Sequence, residues 1–283
     1  MALPLEKLGT TYDETTEVID PDRAKAYAAA TNDPNPAYAE GRFAPPVFGV
    51  VPTWGAMGLA VADVVPAEAL MMIVHGEQDM HFHQPLVPGA KLRTKASAHS
   101  VRVAGSGTRF TIQVDSVDDS GDPVLTEYVT MFIRGMSDGE SGGPDKPNHD
   151  LPDLAAAKKV GSHTVHVDDD QTYRYKEASG DNMPIHVDDA FAKQVGLPGI
   201  IAHGLCTMAM CSQSVIELAA GGDPGRLKRL AVRFAANVFP GNDVETTVYA
   251  LPPDEGGNEV YVFEATSAGQ TVIKNGRAEI APA

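Results

Sequence analysis

Cysteine, positive charge and long apolar runs are all scarce in this sequence of 283 residues, and each shortage excludes a class of protein. Its two cysteines, Cys206 and Cys211, lie five positions apart in one apolar run, where they would not share a helix face. That spacing suits neither a disulfide nor a metal site. The 22 Lys and Arg stand against 38 Asp and Glu, so a nucleic-acid binder, which needs clustered cations, is not expected.

The sequence also lacks the segments that direct a chain to or through a membrane. No apolar run approaches the roughly 20 residues that a membrane-spanning helix needs. The start, MALPLEKLGTTYDETTEV, has neither the basic beginning nor the apolar centre of a signal peptide. We therefore expect a protein without membrane contact, in a reducing, cytoplasmic setting.

What the sequence does contain is a long internal repeat. Tyr27 aligns with Tyr175, 148 positions later, and Phe82 aligns with Phe234, 152 positions later. The two shifts differ by a short insertion. A repeat of this length indicates duplication of a whole folding unit and not a short-period solenoid.

Each copy has the same predicted order of elements: a polar loop, one long apolar helix (51–65 or 203–220) and a run of strands with alternating apolar positions. A helix followed by antiparallel strands predicts an α+β fold with the sheet wrapped around the helix. The Gly-, Ser-, Pro- and Asp-rich stretch 135–159 predicts an exposed linker. The predicted units are therefore 1–134 and 160–283.

A polar loop in the second copy carries an aspartate and a histidine, Asp181 and His186, on either side of Pro184. This composition favours a turn, on which both side chains could reach one water. Downstream, Gly204 begins the long apolar helix, whose free N–H groups could stabilise a negatively charged oxygen. The aspartate could instead cap a backbone N–H, but its combination with the later pair His203-Gly204 favours a functional site.

A carboxylate, an imidazole and an N–H donor are the groups needed to add water to an α,β-unsaturated thioester, or to remove it. Water must lose a proton as it attacks the β-carbon, and the thioester oxygen must be held while it carries charge. This chemistry requires neither a metal nor a redox cofactor, so no cofactor is expected.

The stretches YKEASGDNMPIHVD and GLPGIIAHGLCT resemble the MaoC-like, hot-dog-fold (R)-specific enoyl-CoA hydratases, the type 2 hydratases. The whole chain is similar to their double hot-dog form, with two antiparallel sheets, each wrapped around a long central helix. The resemblance implies that Asp181 and His186 activate water and that the N–H of Gly204 forms the oxyanion hole. It also implies syn hydration of a trans-2-enoyl-CoA to an (R)-3-hydroxyacyl-CoA, by a homodimer or a pseudo-dimeric monomer. Coenzyme A would enter as part of the substrate.

The catalytic loop departs from the family motif at one position. Where the family has asparagine, two residues after the aspartate, this chain has Met183, and Asn182 lies one residue early. We expect both residues, together with His203, to contact the substrate.

The first copy lacks the histidine of the motif, because Tyr38 stands where the second copy has His186. The first repeat is therefore predicted to be degenerate and to bind the acyl chain. Trp54 and Met57 are its candidate contacts, although plain packing in a hydrophobic core would explain them equally well.

Two further clusters allow an alternative. His75, His81 and His83 could indicate a metal site, but no matching Cys or carboxylate set completes the ligands, and no metal is expected. Basic residues in an otherwise acidic chain could meet the phosphates of coenzyme A, or could simply be solvated. These are Arg226, Lys228 and Arg229.

Two other functions stay open at this point. One is a dehydratase acting on 3-hydroxyacyl groups carried by acyl-carrier protein. The other is a catalytically silent protein that binds acyl-CoA or a partner subunit.

Overall fold

The computed structural model describes residues 1–154 and 157–283, and it shows the same order of elements twice. The first copy comprises β1 (Thr15–Val18), α1 (Pro21–Ala30), α2 (Pro36–Ala39), α3 (Val50–Val64), β2 (Ile73–Phe82), β3 (Lys91–Ala104), β4 (Gly107–Val117) and β5 (Pro123–Arg134). The second comprises β6 (Lys158–His166), α4 (Gln171–Ser179), α5 (Asp189–Gln194), α6 (Gly204–Ala219), β7 (Leu227–Phe234), β8 (Asp243–Leu251), β9 (Glu259–Ser267) and β10 (Gln270–Ile280). Single 3-10 turns join several of these elements, at Leu5–Lys7, Pro46–Gly49, Ala67–Met72, Pro184–His186 and Pro224–Arg226.

The strands form one antiparallel sheet of ten strands in the order β1-β3-β4-β5-β2-β7-β10-β9-β8-β6. The two copies meet where β2 pairs with β7, and there Asp79 lies opposite Ala231, 152 positions later. On the helical side, the hydroxyls of Tyr27 and Tyr175 are 3.0 Å apart. Residues that the repeat aligns are therefore in contact with each other. A pseudo-twofold axis that relates the copies passes through the β2–β7 pair and between the two tyrosines.

The long helices α3 and α6 lie at the centre of the two copies because they are apolar on most of their surface. Eleven of the sixteen residues of α6 are buried, among them both free cysteines. The alternating strand positions pack on these helices, as the pattern predicted. The predicted α+β double hot-dog fold is confirmed, with the two sheets joined into one.

One apolar segment is longer than the sequence indicated. Pro46–Val64 forms 19 continuous helical residues with a mean hydropathy of 1.5, enough by length and composition alone to cross a membrane. In this structure 61% of the segment is buried as the central helix of the first copy. A core helix passes the same test, so the segment is weak evidence for a membrane.

Two short helices that the sequence did not predict precede the polar loops. The α1 segment begins at Pro21, capped by Asp20, whose carboxylate accepts from the N–H groups of Asp22 and Arg23. The α4 segment ends at Gly180. They were not predicted because cap and stop signals, and not hydrophobic periodicity, define these helices.

The connection between the copies is exposed at most of its described positions, and part of it is anchored on β2. His149 is 4% exposed, and its ring bonds the Asn275 carbonyl at 2.8 Å and lies 3.3 Å from Glu77. Lys146 pairs with the same Glu77 at 2.8 Å. The polar residues of this stretch are therefore partly used in binding charged groups on β2. The predicted linker 135–159 includes residues 155–156, which lie outside the described residues.

Candidate active site

A glycine turns the chain into the loop that carries the predicted catalytic aspartate. Gly180 ends α4 with a φ of 81°, a left-handed conformation that glycine adopts without steric cost. The next N–H, of Asp181, donates to the Ser179 hydroxyl at 3.1 Å. The Asp181 carboxylate accepts from the N–H of Met183 at 3.1 Å. The carboxylate is therefore fixed by its own loop.

His186 follows on a 3-10 turn and points inward, 8% exposed. Its Nδ1 lies 2.8 Å from the carbonyl oxygen of Ile201, so Nδ1–H donates and Nε2 keeps a free lone pair. Burial lowers the pKa of His186, and the Ile201 bond and the Asp181 carboxylate only partly oppose the shift. The imidazole is therefore neutral at neutral pH and can accept a proton or a hydrogen bond.

His203 contacts both His186 and the loop that carries Asp181. Its ring stacks on that of His186 with centroids 3.8 Å apart and planes at 27°, and its Nε2 is 3.2 Å from the Asp181 carbonyl oxygen. Burial and the neighbouring His186 lower the pKa of His203 to about 3, so it stays uncharged. The His203 ring therefore packs against His186 and, through its hydrogen bond, holds the loop that carries Asp181 next to it.

The side chains of Asp181, His186 and His203 offer ligand atoms within 4.8 Å of one another, a spacing that a metal ion could also bridge. The two rings, however, stack nearly parallel, and lone pairs in parallel ring planes do not converge on one point. The geometry suits a water held between the carboxylate and His186 better than it suits a metal ion.

The start of α6 supplies backbone N–H groups next to these side chains. His203 is the N-cap of α6 and makes no side-chain bond to the first turn. The first N–H groups of a helix have no partner within it, so that of Gly204 can donate to a ligand. A Cβ built on Gly204 would lie 3.3 Å from the ring of Phe234, so glycine also lets the aromatic ring approach closely.

A cavity of about 900 Å³ opens beside Asp181. The second copy contributes residues 179–183 to its wall. The first copy contributes β1, Asp20, Arg23 of α1 and the beginning of α3. The cavity is therefore built by both copies and is large enough for a small-molecule substrate.

The structure brings some of the predicted substrate contacts to this cavity and leaves others elsewhere. Asn182, Met183 and Trp54 line it, and the Met183 side chain is 45% exposed. Met57 is 8% exposed and packs in the core of the first copy. The substrate roles of these residues stay predictions.

The predicted basic patch lies apart from the cavity. The guanidinium of Arg229 is buried and binds both oxygens of Asp79, at 2.9 and 2.7 Å. Arg226 bonds the carbonyls of Ala281 and Ala220. Lys228, between them, is half-buried. Arg229 lies five residues, on the order of 16 Å along the strand, from Phe234 at the site end of β7. The structure thus gives Arg229 an ion pair between the copies, and contact of these three residues with substrate phosphates stays a prediction.

Sequence reasoning missed two residues beside the site. Arg23 lines the cavity and holds the end of α4, donating to the carbonyls of Ala178 and Ser179 at 2.7 and 2.6 Å. His75, which the sequence grouped with His81 and His83, stacks edge-on against Phe234 with centroids 5.2 Å apart. The repeat could have singled out His75, because the aligned residue 152 positions later is a leucine and only one copy therefore has an imidazole at this place.

The corresponding place in the first copy is closed. Tyr38, the counterpart of His186, is buried, and its hydroxyl has no hydrogen-bond partner among the described residues. Burial raises the pKa of Asp33, the counterpart of Asp181, to about 6. The first copy therefore keeps the aspartate without an imidazole beside it.

Solved structures with this architecture define the class of the protein. A MaoC-like dehydratase from Phytophthora capsici superposes with a TM-score of 0.85 over 98% of both chains at 25% identity. A Mycobacterium tuberculosis protein with a double hot-dog fold superposes with a TM-score of 0.62 over 96% of this chain and 95% of its own, at 13% identity. The fold and the site define a double hot-dog protein.

Each half of the sequence matches its own family model. Residues 154–268 match the MaoC like domain, and residues 39–135 match the MFE-2 hydratase 2 N-terminal domain. The chain thus contains a MaoC-like domain preceded by a domain of the hydratase 2 type.

Two curated relatives show how the chain compares in length. It is 28% identical to the probable enoyl-CoA hydratase 2 of Dictyostelium discoideum over 246 residues, covering 83% of this chain and 82% of that protein. It is 31% identical over 243 residues to the peroxisomal hydratase-dehydrogenase-epimerase of Neurospora crassa, covering 83% of this chain. The chain spans about a quarter of that longer protein, 26% of its length.

Proposed function

We propose that the protein is a hydro-lyase that interconverts trans-2-enoyl-CoA and (R)-3-hydroxyacyl-CoA in fatty-acid metabolism. The observation that carries the proposal is the Asp181 carboxylate beside the free Nε2 of a neutral His186, at the wall of a cavity and next to the start of α6. The name of the Dictyostelium relative, probable enoyl-CoA hydratase 2, supports the same reaction.

The geometry supports a simple course for the reaction. A water bound between Asp181 and His186 loses one proton to the carboxylate as its oxygen attacks C3 of the enoyl group. The electron pair of the C2–C3 double bond moves toward the thioester oxygen, where the Gly204 N–H stabilises the negative charge. The proton then returns to C2 on the same face, which balances the addition of one water.

Three further properties belong to the proposal. The reaction uses no cofactor besides the coenzyme A of the substrate. The protein works in the cytoplasm, although the Neurospora relative is named as peroxisomal. The active unit is one chain whose two halves act as a pseudo-dimer, and a homodimer of such chains is the other arrangement that we expected.

The test is turnover of crotonyl-CoA and longer enoyl-CoAs, followed by loss of absorbance of the conjugated thioester. An (R)-specific dehydrogenase then reads the chirality of the product. Asp181→Asn should lower kcat by about 100-fold or more, because the carboxylate is the base. The matched control is Asp33→Asn, which alters the counterpart in the closed copy and should leave kcat within about 3-fold of wild type.

Each alternative has its own outcome. An (S)-product would contradict the mechanism. Turnover of the same acyl groups on acyl-carrier protein but not on coenzyme A would establish the dehydratase of fatty-acid synthesis. Binding of both thioesters without turnover would establish a silent binding protein.

A further inference from the structure

One imidazole near the site has no role in the reaction described above. His75 stacks against Phe234, whose ring contacts Gly204, and its Nε2 is buried without a hydrogen-bond partner among the described residues. Burial lowers the pKa of His75 to about 4, so the ring is neutral, although the Gln78 side chain, the Glu77 backbone and, least of the three, the Asp181 carboxylate act in the opposite direction. A buried polar atom of this kind needs a partner, and a bound ligand can supply one.

A β-bulge turns His75 toward the site. Side chains alternate between the faces of a strand, so His75 and Glu77 would ordinarily share the outer face. Here Glu77 lies opposite Thr130 and His75 opposite Met131, which leaves Gly76 as an extra residue in β2. Met131 packs in the core, so the bulge places His75 on the core side, next to Phe234.

The strand beside the closed site, β7 of the second copy, repeats the bulge but not the histidine. In β7, Arg229 lies opposite Glu279 and Leu227 opposite Ile280, so Lys228 is the extra residue, 152 positions after Gly76. Leu227 therefore occupies the place of His75. Together with Phe82, the counterpart of Phe234, it lines a space of about 10 Å³, barely enough for one water. The imidazole is present at the open site and replaced by an apolar side chain at the closed one.

The reacting water has a chemical need that His75 meets. It donates one hydrogen to Asp181 and the other to the free Nε2 of His186, so it still requires a donor toward its own oxygen. The side chain of Met183 cannot donate a hydrogen bond. His75 can donate from Nε2–H if its other ring nitrogen is unprotonated.

We propose that His75, supplied by the first copy, is a further catalytic residue of the second copy's site, and that its Nε2–H holds the reacting water, and later the 3-hydroxyl of the product, against Asp181. The inference rests on the proposed hydratase function and adds a group that the loop 181–186 does not contain. It also explains why the two copies must stay joined through the β2–β7 pair.

The experiment replaces His75 in the full chain and measures kcat and KM separately. His75→Leu installs the residue found beside the closed site and should lower kcat about 10- to 100-fold with KM changed less than about 3-fold, because one hydrogen bond to the reacting group is lost. His75→Gln keeps a donor near the position of Nε2 and should stay within about 5-fold of wild type. Met183→Asn in the His75→Leu protein offers a donor from the loop and should recover part of the loss.

The matched control is His83→Leu, just beyond the end of the same strand, where the ring contacts the Thr126 hydroxyl at 3.1 Å. It should leave kcat unchanged. Thermal melting of every variant checks that the fold is intact. The inference is overturned if His75→Leu keeps wild-type kcat, if Gln is as slow as Leu in folded proteins, or if Met183→Asn recovers nothing.

A second measurement does not depend on turnover. The ring resonances of His75, assigned by comparison with His75→Gln, should shift in NMR spectra when (R)-3-hydroxybutyryl-CoA is added to the Asp181→Asn protein. No shift at a product concentration that saturates the site, or no binding at all, overturns the role of His75. An inactive wild-type chain would instead refute the hydratase proposal, so the two failures are distinguishable.

Discussion

At the scale of single residues, the site depends on imidazoles that burial keeps neutral. His186 can accept from water because its Nδ1–H is committed to Ile201 and its ring carries no proton on Nε2. His203 supports it by stacking and has too low a pKa to compete for protons. Because burial keeps these rings uncharged, Nε2 of His186 stays free to accept a hydrogen bond.

The pH dependence of activity should reflect this burial. Because the pKa of His186 is lowered from its ordinary value of 6.5, kcat/KM should stay level from about pH 8 down to 6.5 and fall only below it. At lower pH a proton occupies Nε2 of His186, so the ring can no longer accept a hydrogen bond from the water. A pH profile of crotonyl-CoA hydration measures this, and an acidic limb centred at or above pH 6.5 would contradict it.

At the scale of elements, the pairing of β2 with β7 joins the copies and builds the site. Asp79 and Arg229 face each other across this junction in a buried, two-contact ion pair, which Glu279 extends at 3.2 Å. Burial alone would raise the pKa of Asp79, but hydrogen bonds from His81 and Arg229 hold it far below its usual range. The sequence showed Arg229 as one charge in a basic cluster, because its partner lies 150 positions away.

Breaking this pair should therefore destabilise the protein. Arg229→Met leaves the Asp79 carboxylate buried without its partner, and we expect the free energy of unfolding to fall by about 3–5 kcal/mol. Lys228→Met, on the neighbouring half-buried position, should change it by less than about 1 kcal/mol. Urea unfolding followed by circular dichroism measures both. A rise in KM of more than about 10-fold, with unchanged stability, would instead support the predicted contact with substrate phosphates.

At the scale of the whole molecule, the first copy has no open site of its own and contributes to the cavity of the second copy. The first copy contributes β1, Arg23 and the start of α3 to the cavity wall and, as we propose, His75 to the chemistry. Its own counterpart place is filled by Tyr38 and Leu227.

Burial of neutral histidines from both copies should make the molecule sensitive to mild acid. The unfolded chain protonates histidine near pH 6.5, whereas the folded chain does so only near pH 4 at His75 and pH 3 at His203. Between these values the unfolded state binds more protons, so their contribution is complete above pH 6.5 and lost as the pH falls. Burial also raises the pKa of Glu127 to about 8 and that of Asp33 to about 6, and these two groups act in the opposite direction, because the folded state binds their proton first as the pH falls.

Urea unfolding at pH 7, 6 and 5 tests this expectation. The free energy of unfolding of the wild type should fall over the series relative to that of the double variant His75→Gln/His203→Gln. A difference between the two proteins that stayed constant with pH would contradict the assignment of these rings as buried and neutral.

Much of the fold and the core of the site could be predicted from local patterns. The long helices and most strands follow from hydrophobic periodicity, and the repeat showed which loop kept its histidine. The edge strand β1 was missed because it has four residues and is mostly exposed, so it shows no buried alternation. The helices α1 and α4 were not predicted because neither has a continuous apolar stripe along one face.

The sequence by itself determined the duplicated α+β unit, the loop that carries Asp181 and His186, and the glycine at the start of α6, because each depends on residues close together in the chain. Only the tertiary structure decided that the copies share one sheet, that Arg229 pairs with Asp79, and that a bulge at Gly76 turns His75 to the side of Phe234. Those contacts join residues about 150 positions apart. Strand register sets them, and no local pattern records it.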